Sequence, residues 1–525
     1  MYILLRKDVN TIKSSFIKKH GFHLGLIVFS LANFILLISL ADVKSLRHDD
    51  IYQLLFSWNR PFKDSFETIL KTDLNPPLWP FISFLWLKIA PYGTTWLKLP
   101  SIVLTVAAGY IFGLSLKEVF NKRIGLLGSL IFSMSPFVIL DSSYTFRAYG
   151  LYLFASSLIV YAYIKKTKKP SVKNRILFGI SIFIIAFTHY FGAFLCVFLC
   201  AFDLILAINK KQKFNFFIEY MIVAVLELAW LIPQISTITS ALSDFWPSTP
   251  TFRSGLELIW SFLHNSAISA TIFWLLFFVF VAALIMRIIK RGFSVVFTSS
   301  LYFRLVFIVT ALLMLVATIV YCNINTESSL WVHRYFFCVY PMIMFFFVSM
   351  LFSVTKTIGI KIKGRMGSIC KISIICLFIG FLLFNYSRWI RQEVFYTYEP
   401  FEQSAEIIMS EEEIKNGENV IVYNTTDCGH GWMYYLSQNN RIDTGNITLF
   451  DNTDYVDAKD ELLSAMSECK TVYIYADHLF TDKDKDRLQE LRQHILTTHT
   501  ETVLAHDTDQ KEGLRWAIYK YKIVE

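Results

Sequence analysis

The stretch KKHGFHLGLIVFSLANFILLISLADVKSLRHDD (18–50) decides the fold class. A basic lead, reaching back through Lys13, Lys7 and Arg6, meets an unbroken apolar run from Leu24 to Ala41, and a polar loop with two adjacent aspartates follows. About 20 apolar residues cross a bilayer as helix. No small-x-small cleavage site follows the run, so it reads as a retained first span with its basic side inside. Comparable runs recur at 97–117, 124–141, 148–164, 176–189, 191–208, 216–235, 268–287, 301–321, 335–354 and 372–386. One further apolar stretch, Pro76 to Pro91, is short and holds four prolines and Lys88, which suits an interfacial or re-entrant helix rather than a span.

The rest of the composition agrees. The 525 residues are 54% hydrophobic and only 17% charged, with a mean hydropathy of +0.47, against about 25% charged in an ordinary soluble domain. The net charge of +9 does not indicate nucleic acid, because the basic residues sit in short clusters between apolar runs. With 76–91 left out of the spans, the inner segments hold 25 Lys and Arg, among them KKTKKPSVKNR (165–175) and KTIGIKIKGRMGSICK (356–371), and the outer loops hold eight. Counting 76–91 as a crossing would turn every later basic loop outward. The expectation is therefore a multi-pass cell-membrane protein of eleven spans, with its N-terminus cytoplasmic and its tail extracytoplasmic. A membrane domain (1–386, with juxtamembrane helices in the first outer loop, 42–96) precedes a small α/β domain (387–525). Strand-like runs at 419–425, 471–477 and 516–523 and helical periodicity at 484–496 support the latter.

Eight scattered cysteines form no CxxC pair, which argues against a zinc or redox site. Cys428 and Cys469 share the tail, where they either bridge in an oxidising compartment or stay buried free thiols. DCGHGW (427–432) reads as a structural turn, and NTT (424–426) and NIT (446–448) are glycosylation sequons only in a host that modifies them.

In this topology Asp49, Asp50, Asn75, Arg147, Tyr149, His189, Tyr190, His333 and Arg334 all fall at outer span ends. Paired acids suit a general base with a second acid that positions a hydroxyl, or a divalent metal; they equally suit a helix N-terminus. Arg147, where a span begins, either marks the interface by snorkelling or grips phosphate oxygens. His189 in THYF, and His333 with Arg334 in HRYFFCVYP, place cations beside aromatics where the chain enters the membrane. Glu227, in VAVLELAWL (223–231), is an intramembrane acid that faces a cavity or a partner span. Asp203, nearer the inner end, reads as structural.

Taken in order, HDDIYQ (48–53), NPPL (75–78), KLPS (98–101), GLLGSLIFSMSP (125–136), SSYTFRAYGL (142–151), THYF (188–191) and HRYFFCVYP (333–341) resemble the GT-C superfamily of membrane glycosyltransferases, in the branch of protein O-mannosyltransferases and aminoarabinose transferases. The resemblance covers about residues 24–354 and implies a mainly α, GT-C-like transmembrane bundle. It further implies transfer of a sugar, usually with inversion, from a polyprenyl-phosphate carrier to an acceptor hydroxyl on a glycan, lipid or protein at the outer face. It places Asp49 as general base with Asp50 as the second acid, Arg147 and Arg334 at the lipid phosphate, and Tyr149, His189, Tyr190 and His333 around the cavity. Asn75 and Lys98 stand at substrate-binding positions where the branch carries His and Arg, and Thr145 stands where it carries Glu, a role open to Asp141. The motifs establish no cofactor, and the acid pair leaves a divalent metal open. The rival readings are a transporter or flippase of lipid-linked sugars, a glycan polymerase or ligase, and a scaffold. Transporters favour internal repeats and polar groups at mid-membrane, and here no repeat is found and only Glu227 sits centrally.

Overall fold

The computed structural model describes residues 2–524 apart from 44, 56–60, 73–74, 91–92, 211–216, 243–248, 298, 326–328, 362–364, 395–400, 426–445, 451–454, 456–457, 478–481 and 510–512. Cys428 and the 427–432 turn lie outside the described residues. The chain divides into two compact units. The first comprises 1–41, 59–89 and 98–393, and the second comprises 42–58, 90–97 and 394–525.

The first unit is helical. It holds α1 (Tyr2–Ser39) and, past α2 (His48–Leu55) of the second unit, α3 (Phe62–Thr72) and α4 (Leu78–Leu87). Next come α5 (Thr94–Val119), which starts in the second unit, α6 (Lys122–Phe132), α7 (Pro136–Ser143), α8 (Tyr149–Lys168), α9 (Val172–Ala186), α10 (Tyr190–Lys210) and α11 (Ile218–Leu242). The unit closes with α12 (Phe252–Phe262), α13 (Ala267–Arg291), α14 (Ser299–Ile324), α15 (Tyr340–Lys361) and α16 (Arg365–Val394). Among the described residues eight helices are long and apolar enough to cross a membrane, or nine if α6 and α7, bent 72° apart, form one broken span. The break falls at SMSP, where Pro136 opens α7 and cannot donate back into α6.

Two of the eleven expected spans differ. Helix α9 has 15 residues, about 22 Å of rise against a hydrocarbon core of about 30 Å. Helix α8 has the length, with 20 residues. It is enclosed on nearly all sides, with Ser156, Ser157, Tyr152 and Tyr163 all buried, so it needs no lipid-facing apolar surface. The two are consecutive, so omitting both leaves the later orientation unchanged. The Pro76–Pro91 stretch forms only the short apolar α4, as its prolines require. By contrast α11 turns Met221, Ile222, Val225, Leu226, Leu228 and Ile232 outward, an apolar surface that suits lipid contact.

Where α8, α9, α10 and α11 meet, Lys166 donates to Asp203 at 2.5 Å, Tyr220 donates to the same carboxylate at 2.9 Å, and Arg175 pairs with Glu219. Asp203 is thus a buried acid with two donors, a structural group as its position suggested.

In the second unit a five-stranded sheet is built from β1 (Val420–Asn424), β2 (Ile447–Phe450), β3 (Thr471–Asp477), β4 (His499–Asp509) and β5 (Gly513–Ile523), in the order β2-β1-β3-β5-β4. β2, β1 and β3 run parallel, and β5 and β4 are antiparallel to their neighbours. All five residues of β1 are buried, as a central parallel strand covered on both faces requires. Leu462 and Met466 of α19 (Lys459–Glu468; α17 is Phe401–Met409 and α18 Glu412–Lys415) and Leu491 and Ile495 of α20 (Asp482–Ile495) pack on it with Val472, Ile474 and Tyr521. Asn424 of the first sequon is buried, and Asn446 of the second donates to the Gly417 carbonyl.

Glu413 ties α18 to the sheet. It accepts from Lys520 at 2.7 Å, from Tyr473 at 3.2 Å and from Lys522. Burial alone would raise its pKa, but the lysine hydrogen bonds outweigh burial and hold it down to about 2. A depressed carboxyl stabilises the fold above its unfolded pKa and loses that contribution as pH falls from about 4.3 through 2. Glu413→Gln is expected to weaken the sheet by about 2 kcal/mol at pH 7 and by nearly nothing at pH 2. Hydrogen exchange of the β5 amides in the full-length protein at both pH values measures this.

Candidate functional site

The motifs that are far apart in the sequence are brought together in the first unit by backbone contacts. At the start of α4, Leu78 N–H donates to the Phe187 carbonyl at 3.1 Å and the Trp79 indole donates to the Phe146 carbonyl at 3.4 Å. NPPL therefore touches both the THYF turn and the RAYGL turn, with Asn75 half-buried beside it. KLPS packs on RAYGL so closely that a Cβ on Gly150 would lie 2.8 Å from the Ser101 backbone. The HRYFFC segment forms a 3-10 turn (His333–Cys338) whose Tyr335 carbonyl accepts from Tyr152 of α8 at 3.1 Å.

Around this junction the side chains form one aromatic and cationic cluster. The Arg334 guanidinium sits 5.1 Å from the Tyr149 ring centre. His189 stacks on Tyr152 at 5.0 Å and lies 4.5 Å from the Tyr335 ring, within electrostatic reach of the half-buried Arg147. His189 Nδ1 accepts from Phe191 N–H at 3.2 Å, so in the neutral ring the proton sits on Nε2. That Nε2 is buried with no hydrogen-bond partner among the described residues, which leaves a donor for a bound group. Tyr190 stands next to it, half-buried. Burial pushes His333 below its usual pKa while the Glu257 and Asp141 carboxylates pull the other way. Thr145 does not stand in for an acid, since its hydroxyl donates to the Asp141 carbonyl at 2.9 Å. Tyr152 and Tyr335 join the cluster through ring stacking and one main-chain hydrogen bond. The only sequence signal for them is their place, Tyr152 directly after SSYTFRAYGL and Tyr335 inside HRYFFCVYP.

Asp49 and Asp50 lie in the second unit, in the first turn of α2. Asp50 is completely buried, and its carboxylate accepts from the Arg47 N–H at 2.9 Å. That is the backward half of a capping box, so the bland reading of one acid is realised. Asp49, one position earlier and half-buried, does not make that cap. Lys98 is completely buried in α5, donating to the Ala41 carbonyl at 2.8 Å. Glu227 is buried mid-helix, and neither carboxylate oxygen has a hydrogen-bond partner among the described residues. Among those residues no three His, Cys, Asp or Glu side chains gather as a metal-binding group.

No protein-family profile matches the sequence, and no curated protein matches it. Solved structures do match in fold. The crystal structure of ArnT from Cupriavidus metallidurans bound to undecaprenyl phosphate aligns over 95% of this chain and 98% of its own, at 11% identity and a TM-score of 0.56. ArnT in the apo state aligns over the same shares at 10% identity and a TM-score of 0.58. The fold is therefore the GT-C fold that the order of motifs implied.

Proposed function

We propose that this chain, a multi-pass membrane protein with the GT-C fold of ArnT, is a glycosyltransferase that moves a hexosyl or pentosyl unit from a polyprenyl-phosphate donor to an acceptor hydroxyl. The observation that carries this is the convergence of NPPL, KLPS, RAYGL, THYF and HRYFF on one cluster with two arginines. The leaving group supplies the reason for the cations. As the sugar C1–O bond breaks, the polyprenyl phosphate departs with the electron pair, and fixed positive charge at that oxygen stabilises the transition state. Arg147 and Arg334 supply that charge, and His189 Nε2–H adds one neutral donor. Asp49 takes the proton of the acceptor hydroxyl as its oxygen attacks C1 from the opposite face. Asp50 supports Asp49 by capping α2, and Asn75, Tyr149, Tyr190 and His333 shape the pocket. On this reading residues 1–386 form the transfer domain, with an inner N-terminus, and 387–525 lie outside the membrane. The acceptor is a glycan, lipid or protein hydroxyl.

A second reading, a transporter of lipid-linked sugars, is favoured by one observation, the buried carboxylate of Glu227 at mid-span. A panel of radiolabelled polyprenyl-phosphate monosaccharides, incubated with membranes containing the protein, separates the two. Label in an organic-insoluble or newly mobile product supports transfer. Label that stays on its carrier with every donor counts against it.

A further inference from the structure

The basic residues of the first unit fall into two groups that differ in what answers their charge. Around α8 to α11 acids do so: Lys165 faces Glu118, Lys166 faces Asp203 and Arg175 faces Glu219. Around α13, α14 and α15 the chain offers none. Between Glu257 and Glu393 the sequence holds a single acid, Glu327. It follows Ile324, the last residue of α14, at the opposite end of that helix from Arg304. Arg304 is half-buried in the second turn of α14 and reaches inward, toward α15. Its Nε donates to the Ser349 hydroxyl at 2.9 Å, and its Nη2 donates to the Ser349 carbonyl at 3.0 Å and the Ser353 hydroxyl at 2.6 Å. The guanidinium also lies 5.1 Å from the Phe120 ring centre. All of these partners are neutral.

A guanidinium carries five N–H donors in a fixed fork and keeps its charge. The Nε and Nη2 edge is used here, and Nη1 meets no acceptor among the described residues. Two more cations stand at the same end. Arg287, exposed near the end of α13, is within electrostatic reach of Arg304. Lys356, exposed on α15, continues the stripe of Ser349 and Ser353 that Arg304 grips. A partly buried charge with like charges beside it and no carboxylate is unfavourable, and an anion from outside the chain relieves it. The neighbouring surface says what that anion carries. Ile285, Met286, Ile289 and Phe293 are each more than half exposed, where α13 ends and a 3-10 turn (Phe293–Phe297) leads into α14. We infer that Arg304 Nη1, Arg287 and Lys356 bind the phosphate of an anionic phospholipid whose chains lie along α13. Basic pockets between spans take such headgroups. The site does not depend on the transfer reaction, and α13, α14 and α15 carry none of the residues assigned to donor or acceptor.

The test uses purified full-length protein in detergent, with bound lipid read by native mass spectrometry. The probes are phosphatidylglycerol, phosphatidylcholine, glycerol phosphate and polyprenyl phosphate. Wild type is expected to hold phosphatidylglycerol about tenfold or more tighter than phosphatidylcholine. Glycerol phosphate in large excess should not displace it, because it lacks the chains that bury apolar surface. Arg287→Gln with Lys356→Gln should weaken phosphatidylglycerol about 25-fold, at about fivefold for each cation removed. Arg304→Gln should weaken it by about fivefold or more; if that variant does not fold, the double variant at exposed positions carries the comparison. Lys173→Gln, an exposed cation among the acid-bearing helices, should stay within about twofold of wild type. Equal retention by wild type and the double variant would overturn the inference, as would equal retention of phosphatidylcholine. Displacement by glycerol phosphate would make this a site for soluble phosphate and overturn the lipid assignment. Polyprenyl-phosphate affinity should stay within about twofold of wild type in the double variant, and a parallel loss would make these cations part of the donor site and overturn the inference as well.

Discussion

Asp49→Asn is expected to lower kcat at least about 10³-fold while leaving polyprenyl-phosphate affinity within about threefold. A positioned general base contributes about 10²–10⁴-fold, and the amide keeps the shape of the carboxyl without its basicity. The attacking hydroxyl then has to give its proton to water as the C–O bond forms, and an alcohol is a poor nucleophile in that state. Donor affinity is expected to hold because the groups assigned to the phosphate, Arg147, Arg334 and His189, belong to other segments. The same change at Asp50 should behave differently. Its carboxylate caps α2 through the Arg47 N–H, and an asparagine side-chain oxygen still accepts there, so Asp50→Asn should cost about tenfold or less. Single-turnover transfer with purified protein, beside a polyprenyl-phosphate binding curve, checks both. Equal loss at the two positions would mean that Asp49 has no chemical role of its own.

Gly192→Ala is expected to abolish stable folding. A Cβ there would sit 2.3 Å from the Ile185 carbonyl oxygen and 2.9 Å from its carbon. Both are main-chain atoms that no rotamer change can move. The Gly192 N–H also donates to the His189 carbonyl at 2.7 Å, so relieving the clash pulls apart the turn that holds His189. Overpacking against yielding side chains costs about 1–3 kcal/mol, and main-chain overlap of this depth should exceed that range. Gly380→Ala is the control: nothing lies within 4 Å of a Cβ at that position, and alanine is the better helix former by about 1 kcal/mol. Monodisperse yield and thermal melting in detergent should fall sharply for the first variant and hold or rise for the second. Comparable yields would mean that the α9–α10 turn is looser than these distances.

Much of this was legible in the residues. Long apolar runs bounded by lysines and arginines mark the spans because the bilayer fixes both their length and the side on which charge collects. The proline-rich 76–91 stretch declares itself too short to cross. Helix α8 was harder, because a helix enclosed by other helices obeys the packing of a core and not the solvent preference of lipid. The break at SMSP was read as part of a span running through 124–141, since a proline at the first helical position and a proline inside a helix look alike in an apolar run. In the tail, β1, β3 and β5 were visible as β-branched and aromatic runs. β2 has only four residues, and β4, HTETVLAHDTD, is a polar edge strand whose apolar residues are few and do not alternate. The grouping of 42–58 and 90–97 with the tail rests on contacts between distant positions, which no local pattern encodes. At the site, motif order pointed to the residues that gather around Arg147 and Arg334. The acid pair already offered the helix-terminus role that Asp50 takes, without saying which acid takes it, and the burial of Lys98 went unread, because both depend on where a neighbouring backbone ends.

The central claim is that the sugar leaves its lipid carrier. The most direct measurement reconstitutes the purified protein in liposomes with a polyprenyl-phosphate sugar, labelled in both sugar and phosphate, and a membrane extract as acceptor source. The account predicts one polyprenyl phosphate released for each sugar transferred, with neither event in Asp49→Asn. Sugar and phosphate labels that stay joined, and merely become accessible from the other leaflet, would contradict it and establish a transporter instead.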